Sequence, residues 1–136
     1  MTVFAVLSSR VCIAGKTEEV KLAENILLKV LKCAIDKTDD PTNDEKVRKA
    51  VEQFLTDLET KHATAESAES GSIILNIKCR NLIGLDHMLT LFKIDGRSFR
   101  LIGIENALSE LFQDKMKVTI VLPDETLERL RDWIGE

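Results

Sequence analysis

Hydrophobic and polar positions along the chain follow two periods, one typical of strands and one typical of helices. Short apolar runs rich in β-forming residues predict strands at about 2–8, 72–79 and 117–122. Apolar residues at spacings of three and four predict the helices, at about 17–35, 43–61, 83–94, 103–113 and 125–134. The resulting order is β, α, α, β, α, α, β, α.

Two parts of this pattern admit more than one interpretation. Asp95-Gly96 between apolar runs is typical of a hairpin turn, which would pair strands at 89–94 and 97–102. Helical spacing before the turn, with Gly96 as a C-cap, favours a helix over 83–94 instead, and we favour the helix. A fourth strand is left open near 9–14 or at 97–102.

The element order predicts an α+β fold. We expect a two-layer α/β sandwich in which a small, mostly antiparallel sheet carries its helices on one face, as in ferredoxin-like folds. Residues 62–72 are small and polar and are expected to form a flexible linker. Neither flank of that segment has enough sheet to stand alone, so residues 1–136 are expected to form one domain.

The predicted strands do not alternate cleanly between apolar and polar residues, as half-exposed strands should. The first is apolar throughout 3–7. If Phe4 and Val6 face the helices, the residues facing outward are Val3, Ala5, Leu7, Ile74 and Val121, with Asn76 and Lys78 on the same face as Ile74. Such an apolar patch predicts a partner-binding surface. Alternatively, the C-terminal helix or the 36–43 loop covers it.

Composition limits the chemistry. The 136 residues are 44% hydrophobic and 31% charged, as in ordinary globular domains, but only 4% aromatic, with two His and no Tyr. Few side chains can therefore move protons near neutral pH, and we expect no enzyme, cofactor or metal site. Cys12, Cys33 and Cys79 have no metal-like spacing and are expected to be reduced thiols.

No apolar run is long enough to cross a membrane, and no basic cluster precedes the first apolar run. We therefore expect a cytoplasmic protein without a membrane partner.

Basic residues near the second strand suggest an alternative function. They are Lys78, Arg80, Lys93, Arg97 and Arg100. A nucleic-acid or phosphate-ligand binding module could use Lys78, Arg97 and Arg100. Against RNA binding, the net charge is −4 and no predicted outward strand position is aromatic, whereas RNA-binding sheets stack bases on aromatics.

Several segments are similar, in order, to the N-terminal domain of TRADD, the tumour necrosis factor receptor adaptor. They are Val3-Phe4-Ala5-Val6-Leu7-Ser8-Ser9, Val30-Leu31-Lys32-Cys33-Ala34, Ser72-Ile73-Ile74-Leu75-Asn76-Ile77-Lys78-Cys79, Leu108-Ser109-Glu110-Leu111-Phe112, Val118-Thr119-Ile120-Val121-Leu122 and Leu127-Glu128-Arg129-Leu130. The resemblance covers nearly the whole chain and rests on hydrophobic patterns with few identities.

This resemblance implies an α/β sandwich that binds the C-terminal domain of TRAF proteins through its sheet. It further implies a noncatalytic adaptor domain in death-receptor or innate-immune signalling. Its partner would be a TRAF-type domain, another signalling protein or a second copy. The counterparts of the family's contact positions are Val3, Ala5 and Ile74. The family's contact strand carries large aromatics where this chain has Val3 and Ala5.

Overall fold

The computed structural model describes residues 5–38, 45–69, 73–92, 98–126 and 128. The strands within these ranges are β1 (Ala5–Ala14), β2 (Ala63–Glu69), β3 (Ile73–Cys79), β4 (Ser98–Arg100) and β5 (Lys117–Val121). The helices are α1 (Thr17–Asp36), α2 (Glu45–Thr60), α3 (Leu82–Phe92) and α4 (Ile102–Phe112). Another helical segment begins at Asp124.

The strands form one open antiparallel sheet in the order β2-β3-β1-β5-β4. The long strand β1 is central: residues 5–11 pair with β3, and residues 10–14 pair with β5. The order β2-β3-β1-β5, with helices in both long connections, is the ferredoxin-like arrangement. The short β4 adds a strand at one edge. The predicted α+β class with an antiparallel sheet is confirmed.

The helices pack on one face of this sheet. Along β3 every second residue, from Ile73 to Cys79, is at most 2% exposed, whereas Ile74, Asn76 and Lys78 are half-buried. The buried residues join helix residues such as Leu27 and Val51 in a single core. One face of β3 therefore meets the helices, and the other is the outer face of the sheet.

The predicted linker at 62–72 is wrong, because residues 63–69 form β2. A β-bulge between Ala65 and Ser67 shifts the alternation by one residue. Ala63 and Ala68, five positions apart, are consequently both buried in the core. The alanine side chains of β2 are too small to give a strong hydrophobic pattern. The bulge also interrupts the two-residue alternation that would otherwise mark a strand.

The predicted orientation of β1 is also wrong. Leu7 was expected to face outward, but it is fully buried, whereas Val6, expected to face the helices, is 45% exposed. Ser9 is buried on the same side as Leu7, and its hydroxyl donates to the Leu75 carbonyl at 2.9 Å. Ala5 pairs with Cys79, and Val3 lies outside the described residues. A shift of one residue exchanges the two faces of a strand.

The helix favoured at 83–94 is confirmed as α3, and the hairpin alternative is wrong at 89–92. Both positions left open for a fourth strand are extended: 9–14 continues β1, and β4 occupies 98–100. Residues 93–97 lie outside the described ranges, as does most of the helix expected at 125–134.

The start of α3 packs closely against the turn between α2 and β2. A Cβ added to Gly84 would lie 2.4 Å from the His62 carbonyl oxygen. That oxygen already accepts a hydrogen bond from the Arg80 N–H at 2.9 Å. His62 has a positive φ of 63°, and the Asn81 side chain accepts the Gly84 N–H at 2.9 Å. Only glycine fits this approach without moving backbone.

Gly84→Ala should therefore destabilise the protein. We expect a loss of about 1–3 kcal/mol in the free energy of unfolding, because α3 must move away from His62. Gly103→Ala is the matched control, since its added Cβ would meet only the Ala50 Cβ, at 4.0 Å. That substitution should be neutral, or stabilising by up to about 1 kcal/mol. Urea denaturation measures both, and equal effects would contradict the argument.

Candidate functional site

The outer face of the sheet is the face opposite the one on which α1 to α4 pack. The segment after β5 contacts the central strand through the Thr126 hydroxyl, which donates to the Ser8 carbonyl at 2.9 Å. Residues opposite each other in the ladders share a face, so the register defines its members. They are Thr64, Ser67 and Glu69 on β2; Ile74, Asn76 and Lys78 on β3; Val6, Ser8, Arg10 and Cys12 on β1; Lys117, Thr119 and Val121 on β5; and Arg100 on β4.

A polar network connects three strands across this face. The Ser8 hydroxyl donates to Asn76 Oδ1 at 2.7 Å. Asn76 Nδ2 in turn donates to Ser67 Oγ at 2.8 Å and to Glu69 Oε2 at 3.2 Å. These bonds hold Asn76 in one orientation, so this part of the outer face is ordered before any partner arrives.

Aliphatic side chains flank a central arginine. Arg10 pairs with Ile74 on one side and with Val121 on the other. Arg10 is exposed, and its two neighbours are half-buried. The outer face is therefore mixed in character, not the apolar patch that the sequence pattern predicts.

The residues predicted for the partner surface fall into three groups. Ile74, Asn76, Lys78 and Val121 lie on the outer face as expected. Leu7 lies in the core, and the side chains of Val3 and Ala5 are outside what the structure describes. Arg10 and Val6 are among the outer-face residues that the sequence pattern did not predict, together with Ser8, Cys12, Lys117, Thr119 and the three residues of β2. A strand prediction extended from residue 8 to residue 14 would have included Arg10 and Cys12 on the face opposite Val11. The polar Arg10 beside the apolar Val11 is the sequence signal that distinguishes the two faces.

The predicted basic cluster is not brought together. Lys78 on β3 and Arg100 on β4 are separated by β1 and β5 and by six residue positions along the strands, which is about 25 Å at the usual strand spacing and rise. Arg97 lies outside the described residues. The Arg100 guanidinium is bound in two places to Glu105, with Nε donating to Oε1 at 3.1 Å and a terminal N–H donating to Oε2.

Glu105 is a buried acid that joins α4 to the sheet. Its side chain is 7% exposed, and its Oε1 also accepts the Val118 N–H at 3.1 Å. The hydrogen bond from Arg100 holds the pKa of Glu105 below its ordinary value, in spite of burial. Arg100 therefore has a structural role within this chain.

The helical layer carries a second candidate surface, a groove of about 540 Å³ between α2, α3 and the start of α4. Phe54, Leu91, Phe99 and Ile104 are among its apolar lining residues. Two of the polar groups at its rim already have partners: Asp57 accepts from Gln53 Nε2 at 2.9 Å, and Arg100 is bound by Glu105.

The two histidines line one shallow pocket of about 400 Å³, together with Asp86. His62 Nδ1 lies 3.3 Å from Asn81 Nδ2. In the part of the chain that the structure describes, no group of three or more His, Cys, Asp or Glu could hold a metal ion.

The three cysteines are free thiols. Cys12 and Cys33 are half-buried, and burial raises the pKa of the Cys79 thiol to about 11, which keeps it protonated at neutral pH.

A search of the described helices found none long and apolar enough to cross a membrane. Comparison with protein-family models, with curated proteins and with solved structures gave no match.

The Glu105 contacts predict a pH dependence. A carboxyl whose pKa is lowered on folding stabilises the protein fully above its ordinary pKa, and that contribution is lost as the pH falls through the lowered value. Glu105→Gln should therefore be less stable than the wild type at neutral pH, and the difference should shrink as the pH falls below the ordinary carboxyl pKa and through the lowered pKa of Glu105. Thermal melts across this range measure it. A constant difference would contradict the prediction.

Glu105→Ala should cost more, because the buried Val118 N–H also loses its acceptor. The loss of that one bond should contribute about 1–3 kcal/mol to the decrease in the free energy of unfolding. Glu110→Ala, in the same helix, removes an exposed ion pair with Lys46 and should cost less than about 1 kcal/mol. Chemical denaturation of the two variants makes the comparison.

Proposed function

We propose that this chain is a noncatalytic protein-interaction domain of the adaptor type, which binds a protein partner through the outer face of its sheet. One observation supports this most directly: an exposed arginine on the central strand stands between two aliphatic residues, beside a polar network that is already formed. Arginine and aliphatic groups around a fixed polar centre are typical of the energetic centres of protein interfaces.

The outer face is a better candidate than the groove in the helical layer. Arg10, Ile74 and Val121 lie on three adjacent strands, whose ladders fix their spacing. In the groove, the polar groups Asp57 and Arg100 are already bonded within the chain. Lys61 and His87 also line the groove, but the outer face is favoured because its β-ladders fix the spacing of a cation and two aliphatic residues on three adjacent strands.

The resemblance to the TRADD N-terminal domain supports the same surface and suggests its partner. It implies a TRAF-type C-terminal domain and a place in death-receptor or innate-immune signalling. The register changes the expected contact residues: Val6 and Arg10 replace Leu7, while Ile74, Asn76, Lys78 and Val121 remain. The free thiols agree with a cytoplasmic location.

The test uses a double substitution on the outer face, Val6→Asp with Ile74→Asp. Carboxylates at these positions should weaken binding to a recombinant TRAF-type C-terminal domain by about tenfold or more, because they put unpaired charge into the interface. Isothermal titration calorimetry measures the dissociation constant, and circular dichroism checks that the variant is folded.

Leu22→Asp is the matched control, because Leu22 is a 57% exposed aliphatic residue on α1. It should bind like the wild type. An equal loss of affinity in both variants, or no loss of affinity in either, would contradict the proposed binding surface. A wild-type chain that does not bind the TRAF-type domain would remove that partner, and sedimentation of the chain alone would then test a second copy.

A further inference from the structure

The outer face carries cations that form no close ion pair within the described residues, although the whole protein has a net charge of −4. Lys117 is near enough to Glu105 to help lower the pKa of that carboxyl. Arg10 and Lys117 are exposed, and Lys78 is half-buried. No ion pair among the described residues includes any of these three. Lys16, Lys46, Arg48, Arg80 and Arg100 are paired with carboxylates. Among the described residues, exposed lysines of the helices such as Lys21, Lys29 and Lys49 also lack an ion pair, so the outer face differs in the alignment of its cations across adjacent strands.

Acidic groups near this face lie on β2, on α4 and on the segment that follows β5. That last segment carries the exposed residues Asp124, Glu125 and Glu128, and its Thr126 hydroxyl donates to the Ser8 carbonyl of β1 at 2.9 Å. Glu69 is on β2 and accepts from Asn76, and Glu66 is exposed at the bulge of the same strand. At the opposite edge, Glu105 is bound by Arg100. On the three inner strands β3, β1 and β5, the charged residues of the outer face within the described ranges are therefore all cations: Lys78, Arg10 and Lys117.

The three unpaired cations follow a diagonal across the sheet. Lys78 stands opposite Val6, and Lys117 stands opposite Ala14. Each is thus one strand and four residue positions away from Arg10. With the usual strand spacing and rise, both steps are about 14 Å long. Arg10 is the midpoint of the diagonal, and Ile74 and Val121 flank it.

Resting on the function proposed above, we propose that the partner presents an extended acidic segment with aliphatic side chains, and that Arg10 is its anchor. An extended chain rises about 3.3 Å per residue, so acidic residues four positions apart on it match the diagonal. Ile74 and Val121 exclude water around the central pair, and the guanidinium can hold one carboxylate with two hydrogen bonds.

A protein segment suits this face better than RNA does. The flanking residues are aliphatic, and none of the outer-face residues within the described strands is aromatic. Single-stranded RNA is usually bound by stacking its bases on aromatic side chains. Aliphatic neighbours of a cation instead complement a peptide that alternates carboxylates with apolar side chains.

The probe is a synthetic fluorescent peptide with Glu at every fourth position, Val midway between the Glu residues, and Ser or Thr elsewhere. Fluorescence anisotropy should show binding to the full chain that weakens as salt is added. Arg10→Glu should weaken it by about tenfold or more, since a like charge replaces the anchor. Arg10→Lys should bind more tightly than Arg10→Glu but more weakly than the wild type. Lysine keeps the positive charge but cannot hold a carboxylate with the two parallel hydrogen bonds of a guanidinium.

Two controls separate charge at the site from charge in general. Lys29→Glu, at an exposed position of α1, makes the same change in net charge and should alter affinity by less than about twofold. A peptide with Gln in place of every Glu should bind about tenfold more weakly or worse. Amide chemical shifts should change in β3, β1 and β5, not around the helical groove.

The remaining outcomes would overturn the inference in distinguishable ways. If the Gln peptide binds the outer face as well as the Glu peptide does, the acidic preference is wrong and the proposed docking surface stands. If neither peptide binds the wild type, the acidic segment is wrong, and the test with Val6 and Ile74 still decides the surface. Shifts confined to the helical groove overturn both proposals. Tighter, Arg10-dependent binding of oligouridylate would replace the protein partner with RNA.

Discussion

The pairing of β1 on both sides is the constraint on which the rest of the structure depends. One half of this strand carries the β2–β3 hairpin, and the other half carries β5 with β4 at its edge. Its inward residues, Leu7, Ser9 and Val11, lie at the centre of the interface with the helices. A register change here would move both halves of the sheet relative to the core.

Buried Ser9 illustrates how that register is held. A hydroxyl in the core is tolerated only with a partner, and Ser9 finds one in the Leu75 carbonyl on β3. Its neighbour Ser8 points the opposite way, into the network around Asn76. The pair Ser8-Ser9 therefore contributes one bond to each face of the sheet, and it lies within the continuous strand β1.

The fold class and most elements were predictable, because long amphipathic helices and β-rich apolar runs give strong periodic signals. The candidate site was predictable only in part. Strand β3 alternates between apolar and polar residues from Leu75 to Cys79, and this part sets the phase that places Ile74, Asn76 and Lys78 outward, as the structure has them. Strand β1 is apolar at both Val6 and Leu7, and periodicity cannot choose between two apolar neighbours. The choice of face decides whether Arg10 belongs to the outer surface, and so determines the charge of that surface.

The sequence by itself determined the helices, the three main strands and the scarcity of proton-transferring side chains, since each of these depends on local pattern or composition. Only the tertiary structure decided the orientation of β1, the existence of β2 and the separation of Lys78 from Arg100. The orientation of β1 and the separation of Lys78 from Arg100 depend on pairing between residues far apart in the chain, whereas β2 pairs with its neighbour β3 in a hairpin. In β2, the alanines and the bulge give little local signal for a strand. The segment is a strand because it pairs with β3 and buries Ala63 and Ala68 against the helices.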